Sequence, residues 1–205
     1  MSVVQPINSA ARRVPAWTIY IVGAIYAVRQ FWLALNQIGP YLVEPINVLE
    51  RAYGEAGLIM MVAVLLVTPL RKWTGLNMLK FRRAIGVTAF FFILAHFLVF
   101  AILDVQSLER VWTEVVKRPY VTVGMTSFLM LIPLAVTSNN LSMRKMGAAA
   151  WRKMHKLTYP AAILGGLHYL WLVKGFQLEP IIYLLAILGL VAVRYVTLER
   201  RRQMA

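Results

Sequence analysis

Residues 84–103 read AIGVTAFFFILAHFLVFAIL, twenty residues without a formal charge and with one imidazole, His96, among them. A helix of that length rises about 30 Å, the thickness of a bilayer's hydrocarbon core. The stretch therefore reads as a membrane span, and the fold follows from how many others resemble it. Working outward, comparable apolar runs lie near 16–35, 52–70, 119–137, 154–173 and 179–196. Arg29 and Glu55 sit near the ends of the first and second. The chain as a whole is 60% hydrophobic and 15% charged, more apolar than a soluble domain of 205 residues. The expectation is an all-α integral membrane protein, a six-transmembrane-helix bundle forming one domain over residues 1–205. The N-terminus shows no small-residue cleavage pattern after a short apolar core, so no cleaved signal peptide is expected. With no cysteine, disulfides, thiolate-held metals and iron–sulfur clusters are excluded.

The net charge is +14, and its distribution argues for topology, not nucleic acid. Arg12 and Arg13 precede the first span. Arg71, Lys72, Lys80, Arg82 and Arg83 follow the second, Arg144, Lys145, Arg152, Lys153 and Lys156 follow the fourth, and Arg200, Arg201 and Arg202 follow the sixth. The alternate connections hold Glu44 and Glu50, then Asp104, Glu109 and Glu114, then Glu179. Cytoplasmic loops are enriched in Lys and Arg, so both termini are expected in the cytoplasm and the basic residues near lipid headgroups.

The chemistry lies in three histidines: His96, His155 and His168. An imidazole inside a membrane helix is costly without a partner. Counted from the cytoplasmic ends of their helices, His96 lies about 18 Å and His168 about 21 Å deep. Two imidazoles at one depth on two helices can grip a heme iron from both faces, leaving no open position, which suits electron transfer over oxygen chemistry. Gly165 and Gly166, with Gly86 and Ala95, are expected to leave room for a flat macrocycle. Tyr169, Trp151 and Thr158 are candidates for orienting the imidazoles. His155 lies thirteen residues before His168, and Arg83 thirteen before His96. The inner pair at matched depth is thus a guanidinium and an imidazole. It fits a heme with an unusual second ligand, a flavin site or a quinone site. No catalytic residue is assigned.

Several stretches resemble one family: LLVTPLRKW at 65–73, FRRAIG at 81–86, KRPYVTVG at 117–124, and above all AVTSNNLSMRKMGAAAWRKMHKLTYPAAILGGLHYLWLVKG at 135–175. Together with His96 they resemble the MsrQ (YedZ) family, heme-binding membrane subunits of bacterial periplasmic protein-methionine-sulfoxide reductase systems. That family lies within the wider group of ferric-reductase-like transmembrane domains. The resemblance implies a multi-pass protein of the bacterial inner membrane that binds b-type heme. It implies electron transfer outward to a periplasmic molybdopterin methionine-sulfoxide reductase that repairs oxidised proteins. It implies a donor that is either the quinone pool or a cytosolic flavin reductase, with FMN as a further cofactor. By position, His96 and His168 match the outer heme ligands and His155 the third family histidine. Relatives with two hemes carry two histidines on each helix; this chain has one on the third, so one heme is expected and a second is in doubt. Arg83 and His155 then mark the preferred FMN or quinone site.

Two other readings stand beside this one. One is a stand-alone ferric reductase or oxidase core, although no GxGxxG nucleotide fingerprint is present. The other is a heme-free transporter or assembly factor, for which broken helices and paired intramembrane charges would be the sign. The connections 104–118 and 174–179, with Asp104, Glu109, Glu114, Lys174 and Glu179, are the expected docking surface for a partner.

Overall fold

The computed structural model describes residues 4–173 and 175–203, with side chains as far as Val196. Lys174 and the side chains of Arg200, Arg201 and Arg202, which bear on docking and topology above, lie outside the described residues. The described residues are helical throughout, with no strand. In chain order the helices are α1 (Val4–Arg13), α2 (Thr18–Leu35), α3 (Pro45–Thr74), α4 (Arg82–Leu98), α5 (Leu108–Lys117), α6 (Pro119–Val136), α7 (Asn140–Met146), α8 (Ala148–Met154), α9 (Thr158–Leu172) and α10 (Leu178–Gln203).

Five helical stretches are long and apolar enough to cross a membrane: Thr18–Leu35, Pro45–Thr74, Leu79–Asp104, Pro119–Val136 and Leu178–Val196. The protein is thus a multi-pass membrane protein. Large apolar side chains cover its outside, among them Val22, Ile25 and Val28 on α2 and Ile182 and Leu185 on α10, as expected of a surface solvated by lipid. The fifth expected span, 154–173, differs. Its α-helix has 15 residues, about 22 Å of rise, preceded by a tighter 3₁₀ turn at His155–Leu157. That falls short of the length a lone helix needs to cross. α9 is instead covered by its neighbours, with Ala161 and Ala162 fully buried.

Two antiparallel helix pairs build the core. α3 and α4 meet through small residues: a Cβ on Gly57 would lie 2.6 Å from Ile93 Cγ1, and one on Gly86 3.7 Å from Val64 Cγ2. Close backbone approach of this kind supplies the van der Waals contact that holds helices together where no hydrophobic driving force exists between them. α6 and α9 form the second pair. There the buried Ser127 donates its hydroxyl to the Ala161 carbonyl at 2.7 Å, and Gly165 packs beside Ser127. α2 leans on the first pair, where Gly23 sits against Thr88 and Phe92 and Tyr53 donates to the Ala27 carbonyl at 2.8 Å. α10 covers the second pair, its Ile187 fully buried against Gly166.

Proline positions explain several boundaries. Pro45 and Pro119 open α3 and α6, where the missing amide costs nothing. Pro160 falls in the first turn of α9, where a proline does not kink the helix, and a 3₁₀ turn precedes that helix. Pro69 and Pro133 lie inside continuous helices, so neither divides a span. Past α4 the chain widens into a π-helix, Val99–Asp104, with the amides of Val105 and Gln106 reaching back five residues to Phe100 and Ala101. The connection expected at 104–118 is mostly the amphipathic helix α5. Its Val111 is buried, while Leu108, Trp112 and Val116 face outward.

Ser127→Ala should lower stability by about 1 kcal/mol, within the range of interhelical hydrogen bonds in membranes. Thermal unfolding in detergent, compared with Thr126→Ala, whose hydroxyl bonds only within its own helix, measures this.

Candidate heme-ligand pair and basic cavity

The antiparallel pairings bring His96 of α4 and His168 of α9 together. Their ring centroids are 6.2 Å apart and their planes cross at 72°. Each ring is tethered to a helix other than its own. His96 Nδ1 lies 2.9 Å from the backbone carbonyl of Glu50 on α3, and His168 Nδ1 lies 2.8 Å from that of Tyr120 on α6. The Glu50 carboxylate is 4.0 Å from the same His96 nitrogen, so the carbonyl is the hydrogen-bond partner. A carbonyl only accepts, so each Nδ1 carries the proton and donates it, which leaves the lone pair of the neutral ring on Nε2.

The donor set suits one kind of group. Among the described residues no three His, Cys, Asp or Glu side chains are gathered. Two imidazoles leave a bare metal ion under-coordinated, but they match the two axial positions of a metal whose other ligands come from a macrocycle. With a metal–nitrogen bond of about 2 Å and about 1 Å from ring nitrogen to ring centre, two such imidazoles stand roughly 6 Å apart. The observed 6.2 Å agrees with that spacing.

The third histidine lies elsewhere. His155, in the 3₁₀ turn before α9, stacks on Trp151 at 3.7 Å between centroids, and its Nδ1 lies 3.1 Å from the Trp151 carbonyl. Trp151 is itself held by an indole N–H bond to the Thr137 carbonyl at 2.9 Å. His155 Nε2 is buried without a hydrogen-bond partner among the described residues. The Leu134 carbonyl, which accepts from Ser138 Oγ at 2.6 Å, also approaches the His155 ring. This ring borders a cavity of about 790 Å³. Among the described residues six cations line it, Arg82, Arg83, Arg152, Lys153, Lys156 and Arg194, and no acid does. Phe90, Trp151, Tyr159 and Tyr195 give it aromatic walls. Arg83 donates to the Asn140 side chain at 2.7 Å, and Arg194 lies over the Tyr159 ring at 5.8 Å. A buried imidazole nitrogen without a partner, a cationic lining and aromatic walls together suit a flat anionic group.

Several details depart from the reading of the sequence. Tyr169, Trp151 and Thr158 are not what orients the paired imidazoles: Tyr169 packs against Tyr183, and Trp151 and Thr158 both contact His155. Two backbone carbonyls take that role, and no side-chain pattern announces a carbonyl. Gly166 does not open space for a macrocycle; it lets α10 approach, since a Cβ there would lie 3.1 Å from Ile187 Cδ1. Gly165 likewise faces Ser127 and Leu58, whereas Gly86 does border the cavity. α10 contributes Arg194 and Tyr195 to the cavity wall.

An all-helical membrane bundle with facing imidazoles on two of its inner helices is the architecture of a ferric-reductase-like transmembrane protein. The sequence profile of the ferric reductase like transmembrane component matches residues 53–166, a segment that holds His96 and His155 and ends two residues before His168. A protein of Brucella anthropi is 39% identical over 168 residues, 82% of this chain and 75% of its own length. One of Brucella ovis is 41% identical over 169 residues, with the same coverage. Both are named protein-methionine-sulfoxide reductase heme-binding subunit MsrQ. The chain belongs to the MsrQ family.

Proposed function

We propose that this chain is the heme-bearing, electron-carrying membrane subunit of a protein-methionine-sulfoxide reductase system, with His96 and His168 as the two axial ligands of one b-type heme. The facing imidazoles carry this reading: two rings 6.2 Å apart, each with Nδ1 on a backbone carbonyl of a neighbouring helix. When bound, the heme supplies a one-electron carrier in a water-poor interior. The chain contributes two neutral imidazoles in a fixed tautomer, on helices whose close packing resists reorganisation. Having both axial positions taken by protein suits outer-sphere transfer and disfavours oxygen binding.

The basic cavity is the proposed second site, for FMN or a quinone, with Arg83 pairing a phosphate or carbonyl oxygen and His155 Nε2 donating or accepting beside it. In this reading the cavity lies at the cytoplasmic end and the histidine pair toward the outer face. The topology is six crossings of the bacterial inner membrane with both termini inside, α9 crossing together with its 3₁₀ turn and the residues about it. Electrons enter from the quinone pool or a cytosolic flavin reductase. They leave to a periplasmic molybdopterin methionine-sulfoxide reductase. α5 offers Glu109 and Glu114 near that outer end, and Glu114 is paired with Arg118 at 2.6 Å.

Three outcomes test this. Purified protein should show a low-spin b-type spectrum that is lost in His96→Ala and in His168→Ala; a wild-type spectrum in either variant removes the ligand assignment. Arg83→Ala should lower bound flavin, or slow quinol-driven heme reduction, about tenfold, the loss expected for one charge-assisted contact; if flavin content and reduction rate both stay normal, the second site is not there. Reversing Glu109 and Glu114 to lysine should slow reduction of the periplasmic partner while leaving the heme spectrum intact, and an unchanged rate counts against docking at α5.

A further inference from the structure

We propose that Gly54 and Gly124 are positioning residues: each uncovers the single backbone carbonyl that holds a histidine ring, and thereby fixes which ring nitrogen is left for a metal. This rests on the assignment of His96 and His168 as heme ligands. In an α-helix the carbonyl of one residue accepts from the amide four residues on, and the Cα–Cβ bond of that later residue leans back toward the helix N-terminus. The side chain four residues on therefore overhangs the carbonyl. The carbonyls that receive the two imidazoles are those of Glu50 and Tyr120, and the residues four places on are Gly54 and Gly124.

The geometry shows what a side chain there would do. A Cβ on Gly54 would lie 3.0 Å from His96 Nδ1 and 3.3 Å from Cε1. One on Gly124 would lie 2.7 Å from His168 Nδ1 and 2.9 Å from Cε1. In each case the obstructed atom is the nitrogen that makes the hydrogen bond. A carbonyl oxygen has two lone pairs, so it can keep its helical amide and still accept from the ring. Other helical glycines meet different neighbours: Gly57 meets Ile93, Gly23 meets Thr88 and Phe92, and Gly166 meets Ile187 and Leu184. The carbonyl–glycine spacing of four occurs on both helices that receive an imidazole, α3 and α6, which share no residue. The hydrogen bond it permits orients the ring and raises the basicity of the ligating nitrogen; losing such a contact typically costs ten- to a hundredfold in metal affinity.

The experiment compares Gly54→Ala and Gly124→Ala with Gly57→Ala in the full-length, heme-loaded protein. A Cβ at Gly57 meets Ile93 Cγ1 at 2.6 Å, a steric demand as severe, with no imidazole atom among its three nearest neighbours. The readouts are the heme midpoint potential and the rate of heme transfer to excess apomyoglobin. Gly54→Ala and Gly124→Ala should raise the potential, because a less basic ligand favours the ferric state less. They should also speed heme loss about tenfold or more. Gly57→Ala should lower thermal stability with the wild-type potential and heme-loss rate retained. The proposal is overturned if both histidine-facing variants keep wild-type values, or if Gly57→Ala shows the same shifts. Should Gly124→Ala fail to fold, Gly54→Ala decides alone, since its methyl asks the ring to yield only slightly. Loss of the low-spin spectrum in His96→Ala and His168→Ala, with unshifted glycine variants, removes the glycine role and leaves the ligands standing. Retention of that spectrum removes both.

Discussion

Inside a bilayer a polar atom has no water to turn to, so every imidazole nitrogen must be answered by protein or by a bound group. Two short hydrogen bonds to helix carbonyls answer that demand for His96 and His168, and much of the bundle is arranged so that they can form. α3 must approach α4, and α6 must approach α9, to within the width of an imidazole. The small residues along both contacts permit this: Gly54, Gly57 and Gly86 in one pair, Gly124, Ser127, Ala161 and Gly165 in the other. α2 and α10 then press on the outside of these pairs and take most of the lipid contact. Packing and candidate ligand geometry are thus one problem, solved by the same close approaches.

The two ends of the interior differ in electrostatic character. Beside the histidine pair stand the Tyr120 ring, 6.4 Å from that of His168, and the Glu50 carboxylate, 4.0 Å from His96 Nδ1. The cavity at His155 is ringed by cations, with no acid lining it among the described residues. Those cations cannot neutralise one another, and a bound anion would relieve their mutual repulsion. An acceptor held among cations is also easier to reduce, because its reduced form carries more negative charge. In the proposed reading this favours electrons arriving at the basic end.

Much of this was legible in the sequence because the bilayer imposes simple rules. The uncharged run at 84–103 became α4 and its π extension, and the runs near 16–35 and 119–137 match α2 and α6 to within two residues. His96 and His168 were paired from depth alone, since helix rise per residue is nearly constant. Rotation about the helix axis is harder to infer. His155 falls in a 3₁₀ turn at 155–157, and apolar composition carries no sign of it. The helices α1, α5, α7 and α8 were missed because they are short and polar on at least one face, so the hydropathy that reveals spans passes over them. The carbonyl partners were invisible because every residue has a carbonyl, and a glycine four places on is shared by others, such as Tyr53 and Ala161.

The π-helix at Val99–Asp104 has a consequence for how the chain can change in length. A π turn is an α turn that has taken in an extra residue, and it can return to α geometry by giving one up. It begins three residues after His96 and ends four residues before α5. A deletion within it can therefore be absorbed locally, shifting the amphipathic helix beyond while the imidazole upstream keeps its register. The segment works as a slack joint between a part of the fold whose atoms are held to tenths of an ångström and a surface free to diverge.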